Sequence, residues 1–159
     1  MLEARDGVAD GGAIRDDGRR AGPATAEKLP VLIILHQPQS SPGHVGQVLL
    51  RQGYRLDIRR PRYGDPLPST MCQHAGAMIF GGPMSANDPE DFIKAETDFV
   101  GVALKEERPF LGVCLGAQML ARQLGARVDF HPDSRVEIGY HDIRPTQAAK
   151  PYGSWPSRV

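Results

Sequence analysis

Only two cysteines, Cys72 and Cys114, and a single tryptophan occur in the sequence, and neither sign of charge is in excess. Two widely separated cysteines make no disulfide framework and are not spaced as a metal clip, so a reducing, cytoplasmic location is expected. Nineteen Lys and Arg balance nineteen Asp and Glu, which removes any global attraction to nucleic acid or to an anionic membrane. Neither is expected as a partner. Long apolar runs are also missing. The best is Val31-Leu32-Ile33-Ile34-Leu35, the length of a strand and far short of a bilayer span. The opening residues carry Arg and Asp with no apolar segment of signal-peptide type. What is present is 159 residues of ordinary apolar and charged content, enough for one domain with a real core.

Residues 1–28, rich in Gly, Ala, Arg and Asp and without an aromatic residue, read as a disordered tail with no role. Order is expected over residues 29–159. The run at 31–35 reads as a strand buried on both faces. Val45, Val48, Leu49 and Gln52 then fall at helical spacing, closed by Gly53. Residues 54–59 alternate as a second strand, 61–68 form a proline-rich loop, and 75–80 form a third strand ending in Gly81-Gly82-Pro83. Asp88 is the expected cap of a helix with Pro89 at its first position and Asp91 in its first turn. Its apolar face is traced by Phe92, Ala95, Phe99, Val102 and Ala103. Residues 110–113 make a fourth strand, 115–124 a helix capped by Gly125, and strand-like pieces follow at 126–130 and 136–143. Alternating strands and helices predict an α/β fold, a three-layer sandwich with a mostly parallel sheet. Ligands in such sheets gather at the carboxyl ends of the strands. The turns at Gly81-Gly82 and at Cys114 both fall there.

Gly112-Val113-Cys114-Leu115-Gly116 has the form G-x-C-x-G between a strand and a helix. A nucleophile on such a sharp turn presents its sulfur to the cleft, and glycines two residues to either side relieve the crowding that β-carbons would cause. The helix beginning at Leu115 offers unpaired N–H groups and a positive dipole end to a developing negative charge. The Leu115 N–H is placed to donate to an oxyanion, and Gly82 in the earlier turn can supply the second donor. A cysteine after a strand is commonly just core packing, so the pentapeptide alone leaves a structural and a catalytic role both open. Cys72, without flanking glycines or a following helix, reads as structural or incidental.

A wider pattern narrows the choice. Pro109-Phe110-Leu111-Gly112-Val113-Cys114-Leu115-Gly116-Ala117-Gln118 resembles the nucleophile motif of class I glutamine amidotransferases. Phe80-Gly81-Gly82-Pro83-Met84-Ser85 resembles that family's oxyanion loop. Glu137-Ile138-Gly139-Tyr140 and His36-Gln37-Pro38 with Pro42-Gly43 resemble segments of its GMP-synthase-like branch. The resemblance runs over residues 29–159 in the family's order and implies a flavodoxin-like fold, incomplete at its C-terminus. It implies Cys114 as the nucleophile attacking the side-chain amide of L-glutamine or of a glutamyl-type compound. Gly82 and Leu115 would form the oxyanion hole, and Met84 and Gln118 would contact substrate. No cofactor and no metal are implied. A synthase receiving the ammonia is the implied partner.

The family mechanism also requires a His oriented by a Glu in an H-x-E arrangement. The five histidines are His36, His44, His74, His131 and His141, and none has an acidic residue two positions on. His36 and His44 read as loop hydrogen-bonders, and His74 and His131 as residues of polar turns. The segment at Trp155-Pro156-Ser157 resembles the lead into the strand that bears the base, so the sequence is expected to stop one strand short of it. Negligible glutaminase turnover by this chain alone follows as an expectation. Two alternatives stay open: a non-catalytic module that binds glutamine or a partner, and another cysteine hydrolase built on G-x-C-x-G.

Overall fold

The computed structural model describes residues 27–133 together with 136, 138–140 and 142. Four strands, β1 (Val31–Ile34), β2 (Leu56–Arg59), β3 (Gly76–Ile79) and β4 (Phe110–Gly112), form one sheet in the order β2-β1-β3-β4. Every pair is parallel, with Val31 beside Leu56 and Gly76, and Ala77 beside Phe110. Three helices connect or follow them: α1 (Gly43–Arg51), α2 (Asp91–Lys105) and α3 (Leu115–Gln123).

The period of two along the strands builds the layers. Leu32, Ile34, Ala77 and Ile79 point to one face, where they pack with Ile93, Phe99, Val100 and Ala103 of α2 and with Leu115 and Met119 of α3. Val31, Ile33 and Met78 point to the other, against Leu49 of α1, Tyr54 and Leu56. All four residues of β1 are buried, as a central parallel strand requires. The result is the expected three-layer α/β arrangement. After β2 the chain returns past β1 to lay down β3, so strand order reverses between β1 and β3. Crevices at the carboxyl ends of strands on either side of such a reversal are where open α/β sheets bind ligands.

Several boundaries depart from the sequence reading. Helix α2 begins at Asp91 with Glu90 as its N-cap, not at Asp88. The Asp88 carboxylate instead accepts from the Ser85 N–H at 2.8 Å while its own N–H donates to the Ser85 carbonyl at 3.1 Å. That local turn satisfies Asp88 before the helix can use it. The buried stripe of α2 is Ile93, Glu96, Phe99, Val100 and Ala103, and Ala95 is exposed. The stripe is therefore turned by about one residue from the expected one, and a carboxylate lies in its middle. Residues 126–130 form no strand and have no sheet partner among the described residues. A 3₁₀ turn at Pro61–Tyr63 interrupts the expected loop. Of the strand expected at 136–143, the described residues 136, 138–140 and 142 form none, while Glu137, His141 and Ile143 lie outside the described residues. Gly125 takes a left-handed φ of 82° and donates to the Arg122 carbonyl, the helix-ending role expected of it.

Candidate active site

Cys114 sits between β4 and α3 with φ 51° and ψ −105°. A side-chain-bearing residue in this left-handed region costs on the order of 1–3 kcal/mol, held in place by the structure around it. Its constraints are visible. The Val113 N–H donates to Ile79 O at 2.9 Å, and the Gln118 N–H donates to Cys114 O at 3.0 Å as the first bond of the helix. The two glycines are steric necessities. A β-carbon on Gly112 would collide with the backbone of Gly116, and one on Gly116 with the carbonyl of Ile79. The turn thus brings β3, β4 and α3 together, and the thiol stands exposed. Leu115 is fully buried beneath it, so its backbone is fixed by the core. Among the described residues no group accepts from the Leu115 N–H.

The Gly81-Gly82 turn follows β3 and lies against this cysteine. A β-carbon built on Gly81 would come 3.1 Å from Cys114 Cβ and 3.6 Å from Sγ. One built on Gly82 would meet Met84 Cε at 3.0 Å and His36 Cβ and Cγ at 3.2 Å. Any side chain at either glycine would push these groups apart. Gly82, like Leu115, has an N–H with no acceptor among the described residues.

Met84 and Gln118 come together at a neighbouring cleft of about 430 Å³, which Ser85, Asp88, Asp129 and Phe130 also line. Gln118 Oε1 accepts from the Ala86 N–H at 3.4 Å, and the Arg122 guanidinium donates to the Ala86 carbonyl. Asn87 Nδ2 donates to the Val128 carbonyl at 2.9 Å and ties the two walls together. Cys114 does not line this cleft. It connects to it through Gln118, one helical turn on, and through the contact of Met84 with the Gly82 position.

The described histidines are engaged elsewhere. His36 lies in the loop just after β1 and hydrogen-bonds there while fully buried: Nε2 lies 2.8 Å from Glu96 Oε2 and Nδ1 lies 3.1 Å from Gly81 O. His74 is also buried, with Nε2 3.0 Å from Asp57 Oδ2. The Arg59 guanidinium bonds both oxygens of Asp57, at 2.6 and 2.9 Å, and holds that carboxyl below the usual carboxylate range. Partial burial opposes the shift, and His74 adds to it. His131 stands 3.7 Å from Asp133, and His44 is exposed on α1.

Against this geometry stand the relatives. The sequence profile described as glutamine amidotransferase class-I matches residues 44–159, well over half of the chain. The chain belongs to the class I glutamine amidotransferase family. The glutamine amidotransferase-like protein YfeJ of Salmonella typhimurium is 28% identical over 125 residues, covering 76% of this chain and 52% of that protein. A solved glutamine amidotransferase from Methylobacillus flagellatus superposes with a TM-score of 0.62 at 33% identity, over 66% of this chain and 42% of the other. A second, from Thermotoga maritima, gives a TM-score of 0.57 at 32% identity, covering 61% and 43% respectively. The chain therefore spans about half the length of these amidotransferases. Within that half lie the cysteine turn, the paired-glycine loop and the cleft beside them. The sequence reading missed Glu96, whose signal was a carboxylate in a helical stripe of apolar residues, and the burial of His36.

Proposed function

We propose that this amidotransferase domain is built to hydrolyse the side-chain amide of glutamine through a thioester on Cys114. The observation that carries the reading is the strained Cys114 turn, exposed at a helix N-terminus with the Gly81-Gly82 loop against it. In the step itself the Cys114 sulfur bonds to the amide carbon, and the carbonyl electron pair moves to oxygen. The resulting oxyanion takes hydrogen bonds from the Gly82 and Leu115 N–H groups, whose geometry is preset by β3 and by the buried Leu115 side chain. The tetrahedral centre collapses, the C–N bond breaks, and ammonia leaves after taking a proton. Water then hydrolyses the thioester to glutamate and restores the thiol. Met84 and Gln118 present the cleft in which the amino-acid end of the substrate lies. Free glutamine or a γ-glutamyl compound meets these requirements, and a synthase consuming ammonia is the fitting partner.

Proton transfer is the step that the described residues do not provide. His36 and His74 are committed to the carboxylates of Glu96 and Asp57, His131 stands beside Asp133, and His44 lies on the far helix α1. A thiol without a partner base is a poor catalyst of amide cleavage, so negligible ammonia release is expected from the chain by itself. Labelling separates site from turnover. A glutamine-derived chloromethyl ketone is expected to modify Cys114 and not Cys72, with excess L-glutamine slowing the reaction, and Cys114→Ala is expected to abolish it. Absence of glutamine protection would remove the glutamine-site reading. Steady ammonia release from the purified chain, lost in Cys114→Ala, would show that a base is present after all.

A further inference from the structure

Two ionisable side chains lie completely inside the protein next to the oxyanion loop, and the reaction as described uses neither. His36 is 1% exposed and Glu96 0%. Burying such a pair is expensive, and replacing it with apolar groups of similar volume often costs no stability. The pair therefore calls for a role in the site, and its hydrogen bonds indicate one.

The Gly81 carbonyl oxygen can only accept, so the 3.1 Å contact requires the hydrogen on His36 Nδ1. Nε2 then faces Glu96 Oε2 at 2.8 Å with one proton between them. Glu96 is carried by α2, and Phe92 of the same helix tilts against the imidazole at 6.4 Å between ring centroids. The ring thus has its orientation fixed from α2 while its other nitrogen holds the loop after β3. In a trans peptide the C=O and the following N–H point in opposite directions, and no cis peptide occurs among the described residues. Fixing the Gly81 carbonyl towards His36 therefore turns the Gly82 N–H away from the imidazole, and Gly81 itself borders Cys114. Two adjacent glycines make this peptide easy to invert, because neither has a β-carbon to resist the change. Something has to hold it.

We propose that His36, oriented by Glu96, is a positioning residue that locks the Gly81–Gly82 peptide with its N–H directed at the oxyanion formed on Cys114. The proposal rests on the amidotransferase reading above for the identity of the oxyanion. It makes α2 part of the site at a distance: the helix sets the imidazole, the imidazole sets a carbonyl, and the carbonyl sets the donor on the far side of the peptide.

Two electrophiles distinguish this role from simple support of the fold. With a glutamine-derived chloromethyl ketone the thiolate first adds to the carbonyl carbon, giving an oxyanion; the sulfur then moves to the methylene carbon as the carbonyl re-forms and chloride leaves. Iodoacetamide is displaced at a saturated carbon and forms no oxyanion. In the full chain, His36→Leu is expected to slow ketone labelling of Cys114 by about tenfold or more, a fraction of what deleting an oxyanion donor outright costs. Iodoacetamide labelling should stay within about twofold of the unaltered protein. His36→Asn, whose amide N–H₂ stands near the Nδ1 position, is expected to recover most of the loss; His36→Gln, which reaches only towards Glu96, should not. Parallel loss with both reagents, or full ketone reactivity in His36→Leu, would overturn the proposal. If His36→Leu does not fold, Glu96→Leu against Glu96→Gln reads the same contrast, with only the Gln variant expected to keep ketone reactivity. The peptide is also read without any substrate. A crystal structure of His36→Leu, or of Glu96→Leu in its place, is expected to show the Gly81 carbonyl turned from its present direction, and an unchanged carbonyl would overturn the lock. A Cys114 that glutamine does not protect would instead sink the amidotransferase reading and leave this structural result standing.

Discussion

At Cys114 the thiol is held by backbone geometry at the junction of β4 and α3. Its φ of 51° is tolerable only because Gly112 and Gly116 allow strand and helix to close on each other. Both missing β-carbons would meet main-chain carbonyls, the one on Gly116 coming nearest, against Ile79 O in β3. Gly116→Ala is therefore expected to destabilise by about 1–3 kcal/mol or more, the range for overpacking a closed site. Urea denaturation followed by far-UV circular dichroism measures this. A variant within error of the starting protein would mean that α3 can slide along the sheet. Both glycines and the cysteine were legible from the sequence, because a turn of this kind is a local requirement on neighbouring residues.

Elements impose a different kind of order. Helix α2 carries three consequences of its phase: it caps the core with Ile93, Phe99 and Val100, it buries Glu96, and it leaves Ala95 in solvent. Sequence periodicity indicated the helix but set its phase about one residue off, because Phe92 and Val102 are apolar without being deeply buried. Strand β2 supplies the second example. Asp57 on its surface gathers Arg59 from the same strand and His74 from the loop before β3. Its lowered carboxyl value means that the folded state favours the ionised form more than the unfolded chain does. The stabilisation is therefore fully present above the unfolded carboxylate value of about 3.9 and is lost as pH falls through the lower folded value. Asp57→Asn is expected to lower the melting temperature at pH 7, with the gap to the parent protein closing as melts are repeated down to about pH 3. A gap that stays constant over that range would assign the effect to packing instead of charge.

For the whole described molecule, the core couples the site to the sheet. Met119 of α3 and Leu115 beneath the cysteine pack in one cluster with Ile34, Ile79, Phe99 and Val100. Met119→Ala is expected to cost about 2–5 kcal/mol, the usual result of opening a cavity among fully buried side chains. Chemical denaturation gives the stability. The same variant should also label more slowly with the glutamine-derived ketone, since α3 holds both the Leu115 N–H and Gln118. The opposite face of the sheet is less well covered. There α1 packs beside β1 and β2, while Leu111 of β4 and Val113 just after it are exposed.

What the sequence determined by itself was set by near neighbours. The buried strand at β1, the G-x-C-x-G turn, the paired glycines after β3 and the glycine that ends α3 all depend on residues within a few positions of one another. Their type and spacing state the requirement directly. Only the tertiary structure decided that His36 and Glu96, sixty positions apart, share a proton-bearing contact inside the core. The same holds for Asp57 and His74, and for the failure of residues 126–130 to join the sheet. Such pairings follow from which strand lies beside which and from the phase of a helix against the sheet. Local propensity carries neither quantity, because both are fixed when distant apolar faces close on a common core.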